Sequence, residues 1–183
     1  MKDGERQVSP TLDGVRYDHL ARYRWACHHL NGTVLDAACG IGYGSNILAN
    51  HGFTVRSVDI DQEAIDYGLK HYNHPNITFQ CLPLDKVLPL SDCTVAFEII
   101  EHIEDPLPFL KRVKGRLLAS VPNEDVFPYR NYKFHYRHYT KDEFTSLLNA
   151  AGFIVEDWYG QEGPESDVTD IMGRTIIAIA RKR

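Results

Sequence analysis

The run Val34-Leu35-Asp36-Ala37-Ala38-Cys39-Gly40-Ile41-Gly42-Tyr43-Gly44 most constrains what this chain can fold into. A short apolar stretch, Thr33 to Ala37, reads as a buried strand that ends at an acid. The chain then turns through closely spaced glycines into a helix, Ser45 to His51. Such a turn needs glycine because a side chain would collide with a ligand lying against the backbone. The helix amino terminus beyond the turn offers N–H groups with no partner inside the helix. A second apolar run, Val55 to Val58, closes on Asp59, about 20 residues on, where a nucleotide-binding unit sets its ribose ligand. The pattern predicts alternating strands and helices around a ligand that carries a ribose.

Two familiar nucleotide motifs fail on this stretch. The dinucleotide fingerprint needs a third glycine three positions after the second, and counting from Gly42 that position is Ser45. The phosphate-cradling loop needs Gly-Lys-Ser or Gly-Lys-Thr, a tripeptide absent from the chain. What remains resembles motif I of the class I S-adenosylmethionine-dependent methyltransferases, acid-x-Gly-x-Gly-x-Gly, with Asp36, Ala38, Gly40 and Gly42 in its places. Ala38 departs from the usual glycine by one methyl group. The resemblance implies S-adenosyl-L-methionine as cofactor. It implies that Asp36 helps orient the methionine ammonium, that Asp59 holds the ribose hydroxyls and that Ile60 lies along the adenine. Relatives often carry an acid after strand three; here Gln80-Cys81 stands there, and Asp85 or backbone groups would take over the adenine contact.

Composition narrows the class. A chain of 183 residues suits one domain with one sizeable core. The net charge of -5 argues against a long nucleic-acid track, which needs a basic surplus. No apolar run approaches membrane-spanning length. Residues 1–14 are polar and lack a signal-peptide core. Cys27, Cys39, Cys81 and Cys93 form no Cys-x-x-Cys pair, so reduced thiols in a cytoplasmic enzyme are expected. Oligomeric state leaves no mark on the sequence.

Periodicity places the remaining elements. Residues 15–30 read as a helix within an amino-terminal cap, residues 1–32, whose tyrosines and His19 could cover the site. Strands are expected at 53–59, 77–81, 94–97 and 117–121, with Asp61 capping a helix over 62–72. Residues 109–114 predict a helix of two or three turns. A helix over 140–151 ends at Gly152-Phe153, the device also seen at Gly52-Phe53, and leads into a strand. Residues 161–170 read as polar and mobile, and 174–180 as a final strand. Alternation of this kind predicts an α/β fold, a largely parallel sheet covered on both faces. The resemblance adds a Rossmann-like, seven-stranded sheet with its last strand antiparallel.

The chemistry falls after strand four, where ligands bind in such folds. Glu98-Ile99-Ile100-Glu101-His102 would put Glu98 on one face with Glu101 or His102 if the backbone turns helically. Two carboxylates and an imidazole suit a divalent ion. Residues 122–139 form the expected substrate loop, rich in Phe127, Tyr129, Tyr132, Phe134, Tyr136 and Tyr139. This combination resembles the ubiquinone-pathway O-methyltransferases and the enzymes that methylate the 2′-hydroxyl at small-RNA 3′ ends. The latter resemblance implies a metal set of Glu98, Glu101, His102 and His135, filled by Mg2+ or Mn2+. Glu98 is alternatively a contact to the cofactor backbone. Gly4-Glu5-Arg6 and His19-Leu20-Ala21-Arg22-Tyr23 also resemble bacterial and phage methyltransferases of unassigned or glycan-related function.

The expected activity is O-methylation of a hydroxylated small molecule, sugar or glycan, with His102, His135 and Glu101 as the catalytic group. His102 or His135 would accept the proton near neutral pH, or the ion would lower the pKa of the attacked hydroxyl. A nucleic-acid acceptor, at a terminal ribose or modified base, and a non-catalytic cofactor-binding module are the alternatives.

Overall fold

The computed structural model describes residues 6–183, so Gly4, Glu5 and the start of the amino-terminal cap lie outside the described residues. The strands are β1 (Thr33–Ala37), β2 (Thr54–Asp59), β3 (Ile77–Cys81), β4 (Cys93–Phe97), β5 (Arg116–Pro122), β6 (Phe153–Gln161) and β7 (Thr175–Lys182). They form one seven-stranded sheet in the order β3-β2-β1-β4-β5-β7-β6. Strands β1 to β5 pair in parallel, and β7 runs antiparallel to both its neighbours. This is the sheet that the resemblance implied, seven strands with the last one antiparallel.

Helices cover both faces, and that is why the strands read as nearly continuous apolar runs. The helices are α1 (Tyr17–Ala26), α2 (Tyr43–Asn50), α3 (Gln62–His71), α4 (Leu107–Arg112) and α5 (Lys141–Ala150). Leu35, Ala96 and Ala119 point into the layer shared with Phe109, Leu110, Phe144 and Leu148. Their strand neighbours Val34, Val95 and Leu118 point the other way, against Leu20, Ile47 and Leu48. Truncating a fully buried leucine such as Leu48 to alanine would cost about 2–5 kcal/mol.

Caps set most boundaries where expected. Asp61 accepts the Glu63 N–H at 2.9 Å and starts α3. Thr140 and Glu143 form a capping box at the head of α5. Other expectations differ from the structure. Helix α1 stops at Ala26, four residues early, because the chain must turn through Asn31-Gly32 to enter β1. Helix α4 has six residues, under two turns, and begins at Leu107, since Pro108 is tolerated in a first turn. The segment 161–170 is tied down rather than loose. Gln161 is 1% exposed, and the Pro164 carbonyl accepts the Asp18 N–H at 3.1 Å.

Strand order reverses beside β1, with β2 on one side and β4 on the other. The carboxyl ends of these strands therefore splay open into a crevice.

Candidate active site

The crevice has a volume of about 1260 Å³ and runs from Asp59 and Ile60, past Glu98, to His102 and His135. A single drug-sized ligand fills about 300–1,000 Å³. There is room for a cofactor and an acceptor side by side.

At the first end, the glycine turn is held by backbone geometry. Gly42 has φ 86°, and a Cβ there would lie 2.6 Å from the Phe79 ring. Its lack of a side chain serves packing against β3, not ligand approach, and Gly42 does not line the crevice. Gly40, at φ 56°, does line it, and among the described residues a Cβ there would first meet the Arg6 side chain, at 3.5 Å. Ala38 adopts φ 60°, a conformation that costs a non-glycine residue about 1–2 kcal/mol.

The two acids that end β1 and β2 differ. Asp59 is 3% exposed and lines the crevice. One oxygen accepts the Gly40 N–H at 2.8 Å; the other accepts the Asp61 N–H at 2.9 Å and the Arg6 guanidinium at 3.0 Å. Ile60 beside it is 73% exposed at the mouth. Asp36 lies one layer behind the wall, with no exposed surface. Its oxygens accept hydroxyls from Tyr23 at 2.9 Å and Ser45 at 2.5 Å. Burial outweighs both bonds and pushes its carboxyl up to about 6. Asp36 thus reaches the crevice only through Tyr23, which lines it. His19, also on the wall, meets the Tyr43 hydroxyl at 2.8 Å. Burial and the nearby Arg22 cation push its pKa down to about 4, so the ring is neutral near pH 7.

Glu98 departs from the expected helical turn. Its φ is 49°, and the 3-10 turn Ile100–His102 begins only after it. The carboxylate therefore leaves the face that Glu101 and His102 share. Ser120 donates to its Oε1 at 2.7 Å, and Arg22, itself 3% exposed, stands 3.6 Å from the same oxygen. Arg22 also donates to Gln161 at 2.7 Å. Of the four expected metal ligands, Glu98 is thus placed apart.

The other three converge. One oxygen or nitrogen from each of Glu101, His102 and His135 lies within 4.8 Å of the others. Glu101 is 1% exposed, and its carbonyl accepts the Tyr136 N–H at 2.8 Å, which fastens the 122–139 loop onto the 3-10 turn. His102 Nδ1 faces the Phe134 carbonyl at 2.9 Å. His135 Nδ1 meets His138 Nε2 at 2.8 Å, and His138 Nδ1 meets the Phe127 carbonyl at 2.6 Å. Burial holds the His138 pKa below its ordinary value. One buried carboxylate and two imidazoles fit a borderline divalent ion.

The aromatic loop divides its labour. Phe127, Tyr132 and Phe134 line the crevice, whereas Tyr129, Tyr136 and Tyr139 do not. Tyr132 stacks on His138 with centroids 5.3 Å apart. Ser120 escaped the sequence reading, and Arg6 and Arg22 entered it only within resemblance motifs, with no role at the site. Only Arg22 left a signal, a charge among the apolar positions Leu20, Tyr23 and Ala26 of α1.

Comparison with known proteins agrees with the fold. Residues 35–119 match the methyltransferase domain family. A protein of Mycolicibacterium smegmatis, named a probable S-adenosylmethionine-dependent methyltransferase, is 34% identical over 176 residues, covering 86% of this chain and 66% of the relative. The ubiquinone biosynthesis O-methyltransferase of Coxiella burnetii is 32% identical over 107 residues, covering 52% of this chain and 46% of its own. The chain spans less than two thirds of the length of these curated relatives. An S-adenosylmethionine-dependent methyltransferase from Mesorhizobium loti shares the fold, with a TM-score of 0.70, 16% identity, and coverage of 94% of this chain and 100% of its own.

Proposed function

The chain carries a class I S-adenosylmethionine-dependent methyltransferase domain, and on that premise we propose that it methylates a hydroxyl oxygen of a small molecule or sugar. The observation that carries this reading is the meeting of Glu101, His102 and His135 beside the crevice that Gly40 and Asp59 also line. The Coxiella burnetii relative, an O-methyltransferase by name, supports oxygen as the atom methylated.

S-adenosylmethionine supplies a methyl group on a sulfonium, already activated for displacement. The protein's share is alignment, which provides much of the acceleration in such a transfer. Gly40, Asp59 and Ile60 would hold the adenosyl part. Tyr23, backed by Asp36, and Glu98, backed by Arg22, would hold the methionine end. An alcohol must also lose its proton as it attacks. With Nδ1 of each ring in a hydrogen bond, His102 and His135 are the proposed proton acceptors.

Glu101, His102 and His135 would also hold a divalent ion, whose Lewis acidity lowers the pKa of a bound hydroxyl. Two imidazoles and one carboxylate favour Mn2+ over Mg2+, which prefers an all-oxygen shell. A site of this kind selects acceptors with vicinal hydroxyls, such as a catechol or a sugar. The net charge of -5 supports a small acceptor over a long nucleic acid. A terminal ribose presents the same vicinal pair and is the second reading.

Turnover tests these readings together. Purified protein is incubated with S-adenosylmethionine and a panel of catechols, free sugars and nucleosides, and release of S-adenosylhomocysteine is measured. The proposal expects turnover with vicinal diols, abolished by chelator and restored by Mn2+. Full turnover after exhaustive chelation would leave proton acceptance by histidine alone. Cofactor binding without turnover on any hydroxyl acceptor would make the protein a binding module.

A further inference from the structure

Hydrogen bonds through the 122–139 loop run in one direction. The Phe127 carbonyl can only accept, so the proton in its 2.6 Å contact belongs to His138 Nδ1. A neutral His138 then has an unprotonated Nε2. The 2.8 Å contact between that nitrogen and His135 Nδ1 therefore takes its proton from His135. In that Nδ1-protonated tautomer His135 carries its lone pair on Nε2. His102 reaches the same state more simply, donating from Nδ1 to the Phe134 carbonyl at 2.9 Å.

We infer that His138 is a positioning residue, which locks His135 in the Nδ1-protonated tautomer and so presents Nε2 to the space shared with Glu101 and His102. The inference rests on the proposed reading of that trio as the reactive centre. Ligating or reacting histidines are oriented by a partner on the second nitrogen, most often a carboxylate or carbonyl. Here a histidine takes that place, with a carbonyl behind it. Its ring cannot drift, because it is 4% exposed and packs between Phe127, centroids 5.2 Å apart, and Tyr132 at 5.3 Å. A side chain needed only for bulk among these rings would have no use for two nitrogens in line.

The test reads the His135 tautomer by nitrogen-15 NMR of metal-free protein, and Mn2+ affinity by calorimetry, in wild type, His138→Phe and His138→Gln. Wild type should show His135 protonated on Nδ1 alone. His138→Phe keeps the ring packing but loses the acceptor; it should move the proton to Nε2 and weaken Mn2+ binding by about 10- to 100-fold. His138→Gln can accept from His135 and donate to Phe127, and should restore both. A wild type with His135 Nε2 protonated overturns the inference without any variant, as does an unchanged tautomer in His138→Phe. If wild type binds no Mn2+, the metal reading fails, while the tautomer comparison still decides the role of His138.

Discussion

Ser120 donates its hydroxyl to Glu98 at 2.7 Å, and this bond separates the two glutamates of the Glu-x-x-Glu-His run. Glu98 turns toward Arg22, while Glu101 turns toward His102 and His135. On the proposed reading, these residues three apart would serve different ligands.

That separation predicts a split between the two glutamates. Glu98→Gln should leave Mn2+ affinity within about twofold of wild type, whereas Glu101→Gln should lower it by at least about 100-fold, beyond the usual effect of an outer partner. Calorimetric titration with Mn2+ checks both. Equal losses would return Glu98 to the metal set.

Asp59 offers its oxygens to the crevice through a short local network. Charge-assisted hydrogen bonds contribute about 1.5–3 kcal/mol, so Asp59→Ala should weaken S-adenosylhomocysteine binding by about 10- to 100-fold. A thermal melt run in parallel confirms that the variant is folded. Unchanged affinity would remove Asp59 from the cofactor site.

Asp36 predicts a pH effect of defined sign. Its carboxyl rises from 3.8 unfolded to about 6 folded, so the folded state binds its proton more tightly. Stability from this group is fully present below the unfolded value and is lost as pH rises through the folded one. Urea unfolding of wild type should therefore fall by about 2–3 kcal/mol, relative to Asp36→Asn, between pH 4 and pH 7. The opposite slope contributed by His19 is common to both proteins and cancels. Parallel pH profiles would mean that burial does not raise the Asp36 carboxyl.

The two turn glycines should respond differently. Gly42→Ala combines left-handed strain of about 1–2 kcal/mol with overpacking on Phe79 of about 1–3 kcal/mol. At about 2–4 °C per kcal/mol for a chain this long, Tm should drop by about 5–15 °C. Gly40→Ala carries the strain without a hard clash, and should lose less Tm but more S-adenosylhomocysteine affinity. The reverse ranking in both measurements would exchange the roles assigned to the two residues.

Most of the architecture was legible because its signals are local. Apolar runs marked the strands, and Asp61 announced a helix start through a contact two residues away. The crevice was legible from glycine spacing and from Asp59. What stayed hidden depends on pairing at long range. Glu98 looked equivalent to Glu101 because nothing nearby reports its φ of 49°, or that Ser120 would stand beside it across the β4–β5 register. Arg6 meets Asp59 across 53 residues. Asp36 kept its place in the motif, but its inward direction follows from Tyr23 and Ser45 closing over it. His138 was visible only as one more histidine in an aromatic loop, since its role lies in the direction of two hydrogen bonds.

Crystals grown with S-adenosylhomocysteine and Mn2+, measured at the manganese absorption edge, test the central claim most directly. The account predicts the nucleoside over Gly40 and Asp59, with one anomalous peak among Glu101, His102 and His135 in the same crevice. An empty crevice, or manganese bound elsewhere with those three side chains unligated, would contradict it.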